Sequence, residues 1–344
     1  PEAGFLHLVD SWVAEFRFLG NVGTTLYFVT NLDAPRNRIV AVDLEEGAAE
    51  ALAGLRDVLP ESERTIEEAS LVGGSLIVSY LEHAHARVRV FDLEGAYTHD
   101  IELPGIGSVL GFEGGIDDPE TFFSYTSYTV PPTIYRYDTR TGTTTLHQRP
   151  GLDVALDAFE TRQVFVTSKD GTQVPMFLTH RKGMELDGTN PTYLYAYGGF
   201  NKSLTPSFSP AVLTWLEMGG IFAVANLRGG GEYGHDWYQA GTKARKQNVF
   251  DDFIAAGEWL IESGHTSTPR LAIGGGSNGG LLVGACMTQR PDLYGACMPA
   301  VGVMDMLRFH QFTIGWAWIS DYGCSDDAAE FETLLAYSPL HNLT

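Results

Sequence analysis

The sequence predicts two domains, a β-propeller segment followed by a doubly wound α/β domain. Residues 1–151 contain short β-rich runs that recur with a regular period, whereas residues 152–344 alternate strand patterns with helical ones. Between a strand and a helix of the second part lies Gly275-Gly276-Ser277-Asn278-Gly279. The length of 344 residues is itself typical of about two domains.

The first domain is predicted from a phrase that occurs three times. Each copy is a strand, a loop and a second strand that ends in an aspartate, namely Asp43, Asp92 or Asp138. These aspartates are 49 and then 46 residues apart, a period that matches propeller blades of four strands. About three such blades do not close a ring, so we expect further natural sequence before Pro1. An irregular antiparallel sandwich is the alternative interpretation.

The second domain begins near residue 152, where the pattern changes. Lys169-Asp170-Gly171 predicts a hairpin, and two near-continuous apolar runs predict strands that are covered on both faces. A helix is predicted over 251–262, with Asn248 or Asp251 as its N-cap. The predicted strands of this domain are 163–167, 173–179, 192–197, 220–226, 271–273 and 296–301.

The motif around Ser277 matches Gly-x-Ser-x-Gly and predicts a nucleophile elbow. In an elbow, a strand turns sharply into a helix and holds a serine at the tip in a strained backbone conformation. The glycines avoid collisions with the neighbouring strand and helix, and the helix N-terminus favours developing negative charge. The alternative is a glycine-rich loop with an incidental serine. The apolar strand before Ser277 and the apolar run 281–287 after it favour the elbow.

Two other stretches are candidates for function. Tyr197-Gly198-Gly199-Phe200 ends a predicted strand upstream of the elbow, which is where a hydrolase places an oxyanion-hole donor; a turn with a core tyrosine is the alternative. The segment 313–323 is rich in aromatic residues, which could line an apolar pocket or fill core. The glycine patterns at 229–234 and 274–279 are weak predictors of dinucleotide binding.

Composition and charge exclude several classes of function. The net charge of −21 argues against nucleic acid and acidic membrane surfaces as partners, and no apolar run is long enough to span a membrane. The basic cluster 243–246 is predicted to be a solvated helix face. Three cysteines without CxxC spacing favour a reducing, cytoplasmic location, although a periplasmic one stays open. The histidine spacings predict no metal site, and we expect a monomer without cofactors.

Taken together, these phrases resemble the prolyl oligopeptidase family of serine peptidases. The resemblance extends more weakly over residues 1–190, as the last blades of the family's seven-bladed propeller. The matching phrases are Tyr195-Ala196-Tyr197-Gly198-Gly199-Phe200-Asn201, Ala225-Asn226-Leu227-Arg228-Gly229-Gly230-Gly231-Glu232-Tyr233-Gly234, Lys246-Gln247-Asn248, Asp251-Asp252-Phe253, Gly275-Gly276-Ser277-Asn278-Gly279-Gly280, Val301-Gly302-Val303-Met304-Asp305-Met306-Leu307 and Asp321-Tyr322-Gly323-Cys324-Ser325-Asp326.

The resemblance implies an α/β-hydrolase fold for residues 152–344 and hydrolysis of peptide bonds after proline in short peptides, with the propeller restricting entry. It implies that Ser277 is the nucleophile, and that the N–H of Asn278 and the hydroxyl of Tyr197 form the oxyanion hole. Trp316 replaces the histidine associated with that place, which affects fine specificity. The resemblance also implies a proline pocket, formed by Phe200, Val303, Ile314, Ala317, Trp318 and Tyr322.

The family's catalytic Asp and His have no counterpart up to Thr344. A hydrolase carries its triad in the order Ser, Asp, His, and the aspartates and histidines after Ser277 do not match triad positions. We therefore expect a chain truncated at both ends, which alone does not turn over peptides because its serine lacks a base. A related oligopeptidase of different specificity and a catalytically inactive propeller-bearing binding protein are the alternatives.

Overall fold

Residues 8–9, 12–44, 54–152 and 154–343 are described by the computed structural model. The chain divides into two units, Pro1–Gly151 and Leu152–Thr344, which we call unit 1 and unit 2. Among the described residues, no helix combines the length and the apolar character that a membrane crossing requires.

Unit 1 contains three four-stranded antiparallel sheets within its described residues. In each sheet the strands pair in chain order, so every neighbouring pair is a hairpin. The strands are β1 (Phe16–Val22), β2 (Thr25–Thr30), β3 (Arg38–Asp43) and β4 (Arg56–Leu59) in the first; β5 (Thr65–Val72), β6 (Ser75–Glu82), β7 (His85–Phe91) and β8 (Tyr97–Ile101) in the second; and β9 (Ser108–Gly111), β10 (Glu120–Thr126), β11 (Thr133–Asp138) and β12 (Thr143–Gln148) in the third.

The repeated phrase of the sequence forms the middle hairpin of each sheet, as predicted. Buried side chains of successive sheets share two apolar clusters, which include Ile39 and Val78 in one and Val72 and Phe123 in the other. The recurring aspartates stabilise the ends of these hairpins. The carboxylate of Asp92, for example, accepts hydrogen bonds from the N–H groups of the turn that follows it.

Unit 2 is built on one sheet of six strands in the order β13-β14-β16-β15-β17-β18. The last four in this order are parallel, and β14 joins them antiparallel through β16. The strands are β13 (Phe159–Thr167), β14 (Gln173–Arg181), β15 (Thr192–Tyr195), β16 (Ile221–Ala225), β17 (Leu271–Gly276) and β18 (Ala296–Ala300). The predicted hairpin is confirmed, since β13 and β14 pair from Thr167 opposite Gln173.

Helices connect the parallel strands, and the core of unit 2 lies between them and the sheet. The α-helices are α1 (Pro210–Glu217), α2 (His235–Gln239), α3 (Gln247–Glu262), α4 (Asn278–Gln289), α5 (Ile319–Tyr322) and α6 (Ala328–Tyr337). Short 3-10 helices occupy Leu156–Ala158, Lys243–Arg245, Thr268–Arg270, Phe309–Gln311, Gly315–Trp318 and Pro339–His341.

The predicted N-cap of the helix after β16 is wrong. Helix α3 begins at Gln247, four residues earlier than predicted, and no side chain caps it. Asn248 and Asp251 are the second and fifth residues of the helix, and their side chains have other partners, the carbonyl of Ala240 and the side-chain amide of Gln247 respectively. A short 3-10 turn leads directly into the helix, so the chain needs no extended capping residue there.

A buried ion pair joins α3 to the segment after β16. The guanidinium of Arg228 binds both carboxylate oxygens of Asp252, at 2.6 and 3.0 Å, and the Asp252 side chain is fully buried. Asp170, in the β13–β14 hairpin, also contacts this guanidinium, and the Asp170 side chain is half-exposed. Removing one partner of such a pair leaves a charge buried without full compensation, which typically costs about 3–5 kcal/mol.

We therefore expect Asp252→Asn to lower the stability of the full-length protein by about 3 kcal/mol, the lower end of the range for broken buried pairs, because Asp170 still faces Arg228. Thermal unfolding followed by near-ultraviolet circular dichroism measures the change. The control is Asp292→Asn, which removes an exposed partner of Arg290 and is expected to change the midpoint little. Equal midpoints for the two variants would contradict a stabilising role for the buried pair.

Candidate active site

Ser277 lies at a sharp turn between β17 and α4. Its backbone has φ 58° and ψ −117°, a conformation that costs energy in a residue with a side chain, and the residue is exposed. A Cβ on Gly275 would lie 2.4 Å from the carbonyl oxygen of Gly279, and one on Gly279 would lie 2.8 Å from that of Ala196. Both motif glycines are therefore required by close backbone approach, and the predicted elbow geometry is present.

The helix N-terminus next to Ser277 offers hydrogen-bond donors. Gly280 and Leu281 donate their N–H groups to the carbonyl of Ser277, which closes the first turn of α4. Asn278 is the first residue of the helix, so its N–H has no acceptor within the helix. The N–H of Ser277 donates to the carbonyl of Ala300, which anchors the turn to β18. An oxyanion that forms at Ser277 would meet a free donor and the positive end of the helix dipole.

Tyr197 lies beside this turn, just after the end of β15. A Cβ on Gly279 would lie 3.7 Å from Cδ2 of the Tyr197 ring. The side-chain amide of Asn278 donates a hydrogen bond to the carbonyl of Tyr197. The ring is half-buried, and the ammonium of Lys202 lies 4.9 Å from its centroid. The three residues predicted to be catalytic are thus brought together in one place.

Four aromatic rings form a connected cluster near this site, and three of them belong to the predicted pocket. Tyr322 meets both Phe200 and Phe309 edge-on, each at 5.4 Å between centroids, and Phe309 stacks on Trp318 at 6.5 Å. Val303 packs against the same core. Phe309 was not among the predicted pocket residues; it is buried and holds Trp318 and Tyr322 together.

Ile314 and Ala317 are not part of this ring cluster. Both are exposed; Ile314 directly precedes the short 3-10 helix Gly315–Trp318, and Ala317 lies within it, next to Trp318. Trp316, at the place of the family's histidine, is 65% exposed. The role of Ile314 and Ala317 in a pocket stays a prediction.

A buried lysine and a buried aspartate at the site were missed by the sequence reasoning. Lys246, predicted to lie on a solvated helix face, is only 1% exposed, and its ammonium is 3.5 Å from the carboxylate of the fully buried Asp321. The signal was present: Lys246 precedes Val249, Phe250 and Phe253 by three, four and seven residues, which is the spacing of one apolar helix face. The prediction holds for Lys243 and Arg245, which are exposed.

No histidine among the described residues of unit 2 pairs with Ser277. Each of them has another partner. The pairs are His180 with Arg181, His235 with Gln239, His265 with Ser263, His310 with Asp326 and His341 with Ser338. A general base for Ser277 is therefore not found among these residues.

One group of potential metal ligands occurs among the described residues. His310, Cys324 and Asp326 have ligand atoms within 4.8 Å of one another. Asp326 is strongly exposed, with 81% of its side chain accessible, and exposed carboxylates often gather without a metal. The spacing of the three in the sequence did not predict this proximity. We assign no ion to the group.

Comparisons with known proteins match both units to one family. A family model described as "Prolyl oligopeptidase, N-terminal beta-propeller domain" matches residues 1–150. A second family model, described as "Prolyl oligopeptidase family", matches residues 206–344. The prolyl endopeptidase of Elizabethkingia meningoseptica is 44% identical over 98% of this chain and 48% of its own length. The prolyl endopeptidase of Dictyostelium discoideum is 40% identical over 98% of this chain and 46% of its own length.

Solved structures agree with these matches. A structure from a study of two prolyl endopeptidases is 44% identical and has a TM-score of 0.92, covering 98% of this chain and 49% of the other. Prolyl oligopeptidase B from Galerina marginata, bound to a 25mer macrocyclization substrate, is 34% identical with a TM-score of 0.92, covering 98% and 47%. The chain spans about half the length of the curated relatives it matches. Its two units are those of a β-propeller and an α/β-hydrolase domain, and the chain belongs to the prolyl oligopeptidase family.

Proposed function

We propose that this chain carries the nucleophile and the oxyanion hole of a serine peptidase that cleaves short peptides after proline. The observation that carries the proposal is the strained backbone of Ser277, exposed at the tip of a strand-to-helix turn beside the free N–H of Asn278. The names of the relatives, prolyl endopeptidases that are 40–44% identical, support the reaction and the residue after which it occurs.

The proposed reaction is acyl transfer. The Oγ of Ser277 attacks the carbonyl carbon of the substrate proline while a general base takes its proton. The carbonyl oxygen becomes anionic and accepts hydrogen bonds from the N–H of Asn278 and the hydroxyl of Tyr197. The amine leaves with the proton, and water then releases the acyl group from Ser277 by the reverse sequence of proton transfers. These steps use no metal and no organic cofactor.

The aromatic cluster is the proposed binding site for the proline side chain. Phe200 and Trp318 are partly buried and present apolar ring surface, and the buried ring of Tyr322 lies edge-on to Phe200. Such a surface suits a pyrrolidine ring and offers no counter-ion to a charged side chain. This composition favours proline over the basic residues that a related oligopeptidase could prefer. The plane of Trp318 would stack on the proline ring.

Cleavage of a chromogenic Gly-Pro substrate by the full-length protein tests the proposal, with Gly-Ala and Gly-Arg substrates in parallel. We expect kcat/KM to be highest for Gly-Pro. Highest activity on Gly-Arg would point to the related oligopeptidase of different specificity. Binding of proline peptides without turnover of any substrate would favour the catalytically inactive binding protein.

Trp318 is expected to set the preference for proline. An aromatic plane against a ring adds about 0.5–1.5 kcal/mol beyond the burial of area, so Trp318→Ala should lower the Gly-Pro to Gly-Ala ratio of kcat/KM by about 2- to 12-fold. The control, Trp12→Ala, removes a fully exposed tryptophan of unit 1 and should leave the ratio unchanged. An equal loss on both substrates in Trp318→Ala would leave Trp318 as a core residue only.

A further inference from the structure

The ammonium of Lys246 lies in the core of unit 2 among three oxygen acceptors. It donates hydrogen bonds to the carbonyl of Gly198 at 3.0 Å and to Oδ1 of Asn278 at 3.2 Å, and the carboxylate of Asp321 lies 3.5 Å away. The Lys246 side chain is 1% exposed. An ammonium has three N–H groups, so these three oxygens match its donors in number. The geometry is that of a fixed cation beneath the turn at residues 197–200.

The side-chain amide of Asn278 has a single consistent orientation in this arrangement. Its Oδ1 accepts hydrogen bonds from Lys246 and from the hydroxyl of Tyr322, and its Nδ2 donates to the carbonyl of Tyr197. The reverse orientation would place the NH2 group against an ammonium and the oxygen against a carbonyl. The amide therefore joins the two residues whose backbone N–H and hydroxyl are the proposed oxyanion donors.

Asp321 and Tyr322 extend the connection to the aromatic cluster. The second carboxylate oxygen of Asp321 accepts the N–H of Phe200 at 2.9 Å, and Phe200 meets the Tyr322 ring edge-on. Burial raises the pKa of Tyr322 well above its ordinary value, as does the nearby Asp321 charge, so its hydroxyl keeps the proton that it donates to Asn278. One polar network thus contacts the elbow, the Tyr197 turn and the proposed pocket.

We propose that Lys246 is a positioning residue of the proposed reaction, one that holds the Tyr197 turn against the Asn278 end of α4 and thereby fixes the distance between the two oxyanion donors. This inference rests on the proposed function. Lys246 contacts the carbonyl of Gly198, directly after Tyr197, and the side chain of Asn278, so it acts through both donors and touches no substrate. A donor displaced by about 1 Å can cost on the order of 10²-fold in rate.

The ion pair explains how a charge persists in this position. Burial lowers the pKa of the Lys246 ammonium, and the Asp321 carboxylate opposes that shift. Loss of either partner alone would leave an uncompensated buried charge, so single substitutions threaten the fold as well as the site. An experiment on Lys246 must therefore separate positioning from stability.

A double-mutant cycle between Lys246 and Tyr197 in the full-length protein makes this separation. With Tyr197 intact, Lys246→Met should lower kcat on a Gly-Pro substrate by about 10- to 100-fold with little change in KM. In the Tyr197→Phe background the hydroxyl is already absent, so the same substitution should cost less, about threefold, through its remaining effect on Asn278. A role in stability alone would lower kcat by the same factor in both backgrounds, and that result would overturn the proposal.

Two further variants serve as a control for the cycle and as a replacement if Lys246→Met does not fold. Lys243→Met removes an exposed lysine three residues earlier and should leave kcat unchanged. If Lys246→Met does not fold, the pair Lys246→Met/Asp321→Asn, which removes both charges together, takes its place in the cycle. A kcat within threefold of wild type for the folded Lys246 variant would also overturn the inference. Failure of the wild type to cleave any proline substrate would instead contradict the proposed function itself.

Discussion

Replacing Ser277 with alanine in the full-length protein is expected to lower kcat on a Gly-Pro substrate by a factor on the order of 10⁶. Alanine removes the attacking oxygen and leaves only the donors at the helix N-terminus, which cannot form an acyl-enzyme. The fold should be unaffected because Ser277 is exposed and its side chain caps no helix N–H. Initial rates of nitroanilide release, corrected for the uncatalysed reaction, measure the loss.

The control for this prediction is Ser207→Ala, which removes an exposed serine hydroxyl of unit 2 and should keep wild-type activity. Thermal unfolding of both variants should match the wild type within the error of measurement. A Ser277→Ala protein that folds and retains more than about 1% of the wild-type kcat would show that the nucleophile is a different residue, because loss of a nucleophile costs far more than this.

Tyr197→Phe is expected to lower kcat by about 10²–10³ while KM changes little. The scissile carbonyl carries little charge in the bound substrate, so a phenol hydrogen bond adds little to binding. The oxygen becomes anionic as the tetrahedral intermediate forms, and the hydrogen bond strengthens at that point. A loss confined to kcat therefore indicates a donor that acts in the transition state. The measurement should use a poor substrate, so that chemistry limits the rate.

Tyr195→Phe is the matched control, since it removes a tyrosine hydroxyl two residues earlier, at the last residue of β15. It should keep kcat within about threefold of wild type, a threshold set well below the cost of losing an oxyanion donor. If Tyr197→Phe behaves like this control, or lowers only the unfolding midpoint, Tyr197 is a structural residue and the second donor lies elsewhere.

The strands and the elbow could be predicted from sequence because their signals are local. The turn at Ser277 requires glycine where backbone atoms would collide with a Cβ, and these requirements appear directly as Gly275 and Gly279. The Asp-Gly hairpin is likewise indicated by adjacent residues, and the propeller strands are indicated by a phrase that recurs along the sequence. The start of α3 was misplaced because its first turn follows a 3-10 turn, and no capping residue marks the boundary.

The polar network beneath the site was harder to predict because its members come from four separate segments of the chain. Lys246 was predicted to be solvated, like Lys243 and Arg245, and only its apolar spacing to Val249 and Phe253 distinguishes it from them. Asp321 and Lys246 are 75 residues apart, so nothing local pairs them. The resemblance to a family gave Phe200, Trp318 and Tyr322, but the buried Phe309 that joins two of these rings emerged only from packing.

The most direct test of the central claim is to identify the residue that reacts with a substrate-like electrophile. The full-length protein is treated with a Gly-Pro diphenyl phosphonate until activity is lost, then digested and analysed by mass spectrometry. We predict one adduct, on Ser277, with phenol released, and slower labelling in the presence of excess Gly-Pro substrate. Complete inactivation with Ser277 unmodified, or an adduct on another residue that tracks the loss of activity, would contradict the account.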